Sequence, residues 1–138
     1  MTEFLWVLDA NTLISRLLVP KGIAAHAVDH ALAQGVLLVS DATLTELAEV
    51  LARPKFDRYL SPQERQQFFG LLSSVSRSVN ITLHTQACRD PKDNKFLDVA
   101  LNGNAHAIIS GDQDLPVLHP HHGIHILSPA QFLQSKIP

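Results

Sequence analysis

Five short apolar runs, residues 4–8, 36–39, 79–83, 107–109 and 124–127, alternate along the chain with stretches that carry helix start and stop signals. Each run is leucine-rich or largely β-branched, as buried strands are. Strands separated by helices predict a parallel sheet covered on both faces, joined by right-handed crossovers. The expected architecture is therefore a three-layer α/β/α sandwich around a central, mainly parallel sheet of four to five strands. The sequence leaves the strand order open. With 138 residues and no repeat, linker or low-complexity tract, it reads as a single domain spanning 1–138.

The helices are punctuated by proline, glycine and capping residues. Residues 11–18 form a short helix halted by Pro20, and Gly22 precedes a second over 23–34, for which Gly35 is a natural C-terminal cap. A third is expected over 43–53, with Leu44, Leu47, Ala48 and Leu51 on its buried face and Pro54 as its stop. Ser61-Pro62-Gln63-Glu64 combines an N-cap serine, a first-turn proline and an acid, opening a helix to about residue 76. Phe68, Phe69, Leu71, Leu72 and Val75 lie along one apolar stripe of that helix, suited either to the core or to a partner. Asp90-Pro91 and Ser128-Pro129 open two more.

The acids follow the strands. Asp9, Glu46, Asp93 and Asp112 each come after one of the first four apolar runs. In a parallel sheet the segments after the strands lie along one edge, where open α/β sheets place their ligands. Two carboxylates about 5 Å apart at an effective dielectric near 20 repel by roughly 3 kcal/mol, so such a cluster calls for protonation or a cation. An all-oxygen donor set favours Mg²⁺ or Mn²⁺ over zinc. Each acid also has a structural use. Asp9 can cap a helix and Asp112 a short turn, Thr43 and Glu46 fit a capping box, and Asp93 suits the first turn of its helix. Asp98 is expected to face solvent.

Composition narrows the partners. The 46% hydrophobic and 17% charged content excludes a disordered chain, and a net charge of −2 does not announce a nucleic-acid binder. Acids committed to divalent cations would leave the remaining surface close to neutral. Arg16, Lys21, Arg53, Lys55, Arg58, Lys92 and Lys95 are then candidate phosphate contacts, the last two flanking Asp93. Cys88, the single cysteine, cannot form an internal disulfide and reads as inert. No leader and no long apolar span is evident, so a cytoplasmic location without a membrane partner is expected.

Val7-Leu8-Asp9-Ala10-Asn11-Thr12-Leu13-Ile14-Ser15, an apolar strand followed by Asp-x-Asn and an apolar helix, resembles the opening motif of PIN domains. The resemblance continues through Glu46 in Thr43-Leu44-Thr45-Glu46-Leu47, through Asp93 in the segment from Asp90 to Leu97, and through Ser110-Gly111-Asp112-Gln113-Asp114-Leu115. Residues 124–133 look like the ending of a bacterial subfamily that includes toxins of toxin–antitoxin pairs, the VapC-type ribonucleases. One departure is Ala10, where the family often has threonine.

The resemblance implies a metal-dependent nuclease acting on RNA, with Mg²⁺ or Mn²⁺ held by Asp9, Glu46, Asp93 and Asp112. Asp114 enters as an accessory ligand, while Asn11 and Ser110 orient ligands or water. In-line attack by hydroxide would leave a 5′-phosphate and a 3′-hydroxyl. A homodimer and a small antitoxin protein are the implied partners.

Other readings compete. A PIN-like module could bind RNA without cutting it. A phosphatase of the haloacid dehalogenase type needs a second aspartate two residues after the first, and that position is Asn11. A receiver domain would need an acid pair before the first strand, and a dinucleotide enzyme a Gly-x-Gly-x-x-Gly turn after it; neither is present. His119, His121, His122 and His125 share a loop with Pro120 and Gly123, which reads as a surface turn rather than a zinc site.

Overall fold

A computed structural model describes residues 3–85, 91–111 and 123–135. Five parallel strands, β1 (Phe4–Leu8), β2 (Gly35–Val39), β3 (Arg77–Ser78), β4 (Ala107–Ile109) and β5 (His125–Leu127), form one sheet in the order β3-β2-β1-β4-β5. The central strand is thus the first in sequence. The chain winds outward from it twice, once to β3 and once to β5. In such a sheet the two strands beside β1 diverge in connection, and the carboxyl edge there opens into a crevice.

Strand alternation divides the core. Trp6, Leu8, Leu37, Val39, Ala107 and Ile109 face one layer, and Val7, Leu38, Ile108 and Ile126 face the other. The first layer holds α1 (Ala10–Leu18), α2 (Ile23–Gln34), α3 (Asp41–Leu51), α4 (Pro62–Val75) and α6 (Pro129–Gln134). The second holds α5 (Asn94–Gly103), through Phe96, Leu97, Val99 and Ala100. The result is the expected three-layer sandwich. Burial on both faces explains why the strands read as continuous apolar runs instead of alternating ones.

The helix ends follow local chemistry. Ser61 with Glu64, and Ser128 with Gln131, form reciprocal capping boxes. The expected box between Thr43 and Glu46 does not form. Ser40 is the N-cap and Thr43 its partner three residues on, so α3 begins at Asp41, earlier than expected, and Glu46 has no capping role. Glu3 and Arg77, with N–O distances of 2.7 and 3.0 Å, tie the entry to β1 to edge strand β3.

The third strand differs from expectation. It spans Arg77–Ser78, whereas residues 79–83 lie outside any strand. Val79 N–H still donates to the Val39 carbonyl, but β2 ends there and Ser40 turns into α3, so the ladder goes no further. Asn102 on α5 takes over instead. Its side-chain oxygen accepts from the backbone N–H groups of Thr82 and Leu83, and its nitrogen donates to the Leu83 carbonyl. The apolar stripe of α4 is also divided: Leu72 is buried, Phe68 and Phe69 are half-buried, and Leu71 and Val75 are exposed.

Candidate active site

Asp9 is the last residue before α1, and the turn from strand to helix sets its side chain. One carboxylate oxygen accepts the Thr12 N–H at 2.9 Å, capping the helix. The other accepts the Ser110 hydroxyl at 2.5 Å from the residue that follows β4. Both partners are buried, Asp9 at 6% and Ser110 at 1% exposure. Adjacent strands β1 and β4 are therefore stitched at their carboxyl ends by a charge-assisted bond, and Asp9 is both cap and site residue. The two readings of this acid coexist.

Glu46 and Asp93 reach the same place from helices. Glu46 lies within α3, and Asp93 closes a 3₁₀ turn, Pro91–Asp93, as the N-cap of α5. Asp9 directly follows β1, whereas Glu46 lies in the helix after β2 and Asp93 at the start of α5, as the helix signals predicted. Even so, Asp9, Glu46 and Asp93 line one cleft of about 170 Å³, with Asn11, Arg53 and Lys92 around them and Val50 and Phe96 as apolar wall. Asp93 is buried in it. Asp112, Asp114 and Asp90 lie outside the described residues, as do Cys88, His119, His121 and His122.

Two of the candidate phosphate contacts are engaged with acids. The Lys95 ammonium sits 2.8 Å from Glu46, joining α5 to α3 across the cleft wall. Arg16 meets Asp29 at 2.8 Å. Asp98 does not face solvent as expected. It is buried beside the loop after β3, accepts the Thr85 N–H at 2.7 Å and lies 3.4 Å from His84 Nδ1.

The donor chemistry of the cleft fits a hard divalent cation: its acids present oxygen only, and among the described residues no thiol or imidazole lines it. Among the described residues, no three of His, Cys, Asp and Glu are gathered as an ion-holding group. The Lys95 ammonium on Glu46 supplies positive charge there. Asp9, by contrast, is held in place by hydrogen bonds.

A parallel α/β domain with carboxylates lining a cleft beside its central strand is the class these features define. The family model for the PIN domain matches residues 6–114, a span that includes Asp9, Glu46, Asp93 and Asp112, and the chain belongs to that family. PIN domains are generally nucleases. An uncharacterized protein of Methanocaldococcus jannaschii is 35% identical over 111 residues, covering 79% of this chain and 71% of the relative.

Two solved structures share the fold. VapBC2 from Rickettsia felis, bound to a DNA fragment from its promoter, aligns with a TM-score of 0.60 at 9% identity, covering 91% of this chain and 98% of that one. FitAcB from Neisseria gonorrhoeae aligns with a TM-score of 0.56 at 15% identity over the same shares, 91% and 98%. Among the described residues no helix is long and apolar enough to cross a membrane.

Proposed function

We propose that this chain is a divalent-metal-dependent endoribonuclease acting in the cytoplasm, the toxin of a toxin–antitoxin pair. The observation that carries the reading is the convergence of Asp9, Glu46 and Asp93, from three separate elements, on one cleft flanked by Arg53 and Lys92. Carboxylates that line one cleft repel one another, and a cation held between them would offset that repulsion.

Asp9, Glu46 and Asp93, with Asp112 and with Asp114 as accessory, would hold Mg²⁺ or Mn²⁺, which when bound lowers the pKa of water and polarises the phosphate. Ser110 and the Thr12 N–H fix Asp9, so its orientation does not depend on the ion. Arg53 and Lys92 attract the RNA backbone and hold its phosphates over the acids. Asn11, on the cleft wall, orients the attacking water. The water oxygen joins phosphorus as the 3′ oxygen leaves and takes a proton, giving a 5′-phosphate and a 3′-hydroxyl.

The test is cleavage of single-stranded and structured RNAs with Mg²⁺, Mn²⁺ or chelator. Cutting is expected with metal, and its loss in Asp9→Asn and Asp112→Asn with the fold retained. Cleavage that survives chelation, or that is equal in Asp9→Asn, sinks the reading, and RNA binding without cleavage by the wild type favours a non-catalytic module.

The likeness to VapBC2 and FitAcB supports a small antitoxin partner. The product of a short neighbouring reading frame should bind this protein and suppress cutting. A homodimer through α4, where Leu71 and Val75 are 61% and 47% exposed, completes the proposal; light scattering should show a dimer that Leu71→Glu dissociates.

A further inference from the structure

A second, larger cavity opens on the same edge of the sheet. It measures about 520 Å³ and is lined by Ser40 and Asp41 after β2, by Ser78, Asn80 and His84 on and after β3, and by Lys95 and Asp98 of α5. That volume is in the range of small-molecule sites. Lys95 is the shared wall, since its ammonium reaches Glu46 in the acid cleft. With strands spaced about 4.8 Å apart, the cavity over β2 and β3 lies roughly 5 to 10 Å from the end of β1, where Asp9 stands. A nucleotide next to the scissile phosphate spans such a step.

The lining suits a base and rejects a phosphate. Asp41 and Asp98 are carboxylates, and the Lys95 ammonium is already committed to Glu46. The Asp41 carboxylate and the Asn80 amide have no side-chain partner among the described residues and are exposed to the cavity. The His84 side chain is 73% exposed, with Nδ1 3.4 Å from Asp98, so its ring stands open at the cavity wall. Bases splayed from single-stranded RNA are recognised in this way, by stacking on a ring and by hydrogen bonds to their edges.

We infer that this cavity is a guanine subsite for the RNA strand. Guanine presents two adjacent donors, N1–H and N2–H, which match the two oxygens of one carboxylate, and Asp41 supplies it. Its O6 then accepts from the Asn80 amide or the Ser78 hydroxyl, and His84 stacks on the ring. Adenine, cytosine and uracil each offer a single donor group beside an acceptor, which leaves one Asp41 oxygen unmatched. The substrate class, RNA, rests on the nuclease reading.

The test separates the two. In chelator, fluorescence anisotropy compares a uridine hexaribonucleotide with hexamers carrying a single G, A or C. The G hexamer should bind at least tenfold tighter. Asp41→Asn should erase that preference, whereas His84→Ala should weaken all four hexamers alike. Equal binding of the four, or a preference that survives in Asp41→Asn, overturns the subsite; circular dichroism confirms that both variants fold. GMP binding as tightly as the G hexamer assigns the cavity to a free nucleotide and overturns the strand reading. With metal present, cutting without dependence on G removes the subsite and leaves the nuclease standing. G-selective binding with no cutting does the reverse.

Discussion

The Ser110 hydroxyl donates to Asp9 at 2.5 Å across the ends of two neighbouring strands, although the residues are 101 positions apart in sequence. Charge-assisted bonds of this length are among the strong ones. Because the opposite Asp9 oxygen is taken by the Thr12 N–H, the carboxylate has little rotational freedom.

Ser110→Ala should therefore affect both folding and function. Removing the hydroxyl that donates to a buried carboxylate costs about 1–3 kcal/mol in stability. Loss of the orienting bond should lower metal affinity or RNA cleavage by roughly 10- to 100-fold. Calorimetric titration with Mn²⁺ alongside a melting curve reads both. Ser110→Thr, which keeps the hydroxyl, should restore most of the loss; a Thr variant as weak as the Ala variant would point to packing instead.

Lys95 makes the opposite kind of contribution. Its ammonium competes with any cation for Glu46, and the pair is only about a quarter exposed on the Lys95 side and less on the other. Lys95→Met removes the competitor while keeping the aliphatic stem. At an effective dielectric near 20 the direct attraction is a few kcal/mol, of which solvent and salt leave about 1 kcal/mol. Mn²⁺ should bind about fivefold tighter to Lys95→Met than to wild type, with a small loss in melting temperature. Unchanged or weaker binding would mean that Glu46 does not share in holding the ion.

Much of this fold is legible because its signals are local. Ser61-Pro62, Ser128-Pro129 and the apolar run ahead of Asp9 act within a few residues, and the structure places helices and a strand there. Features set by distant partners are not legible in the same way. Residues 79–83 have strand composition, yet β2 offers them no ladder because Ser40 already caps α3. Asp98 has a charge that suggests solvent, yet the loop after β3 brings it Thr85 and His84. Glu46 and Asp93 are visible by motif and by the helices that carry them, while their meeting with Asp9 in one cleft depends on packing that no local pattern encodes.

Acid should weaken the fold partly through Glu64. The Ser61 backbone N–H, and after it the Ser61 hydroxyl, hold the Glu64 carboxyl below its usual range, and the Arg77 guanidinium does the same for Glu3. With folded values lowered, the unfolded chain binds protons first as pH falls. The contribution is thus present above the ordinary carboxylate range and is lost as pH drops through the lowered folded values. Glu64→Gln keeps an acceptor for Ser61 without a titrating group. Its melting temperature should fall less steeply than that of the wild type from pH 5 to about 3; parallel curves would remove Glu64 from the acid response.

Gly35 shows how tightly the first layer is built. It ends α2 and begins β2 with an extended backbone, so conformational freedom is not the reason for glycine. Space is the reason. A Cβ there would stand 2.3 Å from the Phe4 carbonyl oxygen and 2.7 Å from the Trp6 indole nitrogen. Phe4 is the register partner of Gly35 across the β1–β2 ladder, so the backbone itself must move. Trp6 is fully buried, stacked on Phe4 and edge-on to Phe132, and cannot swing away. Gly35→Ala should cost about 3 kcal/mol, lowering the melting temperature by roughly 10 °C. Trp6 is the one tryptophan in the chain, so its fluorescence reports the disturbance directly. A stable Gly35→Ala protein with an unshifted emission maximum would contradict the close approach of β1 and β2 at this point.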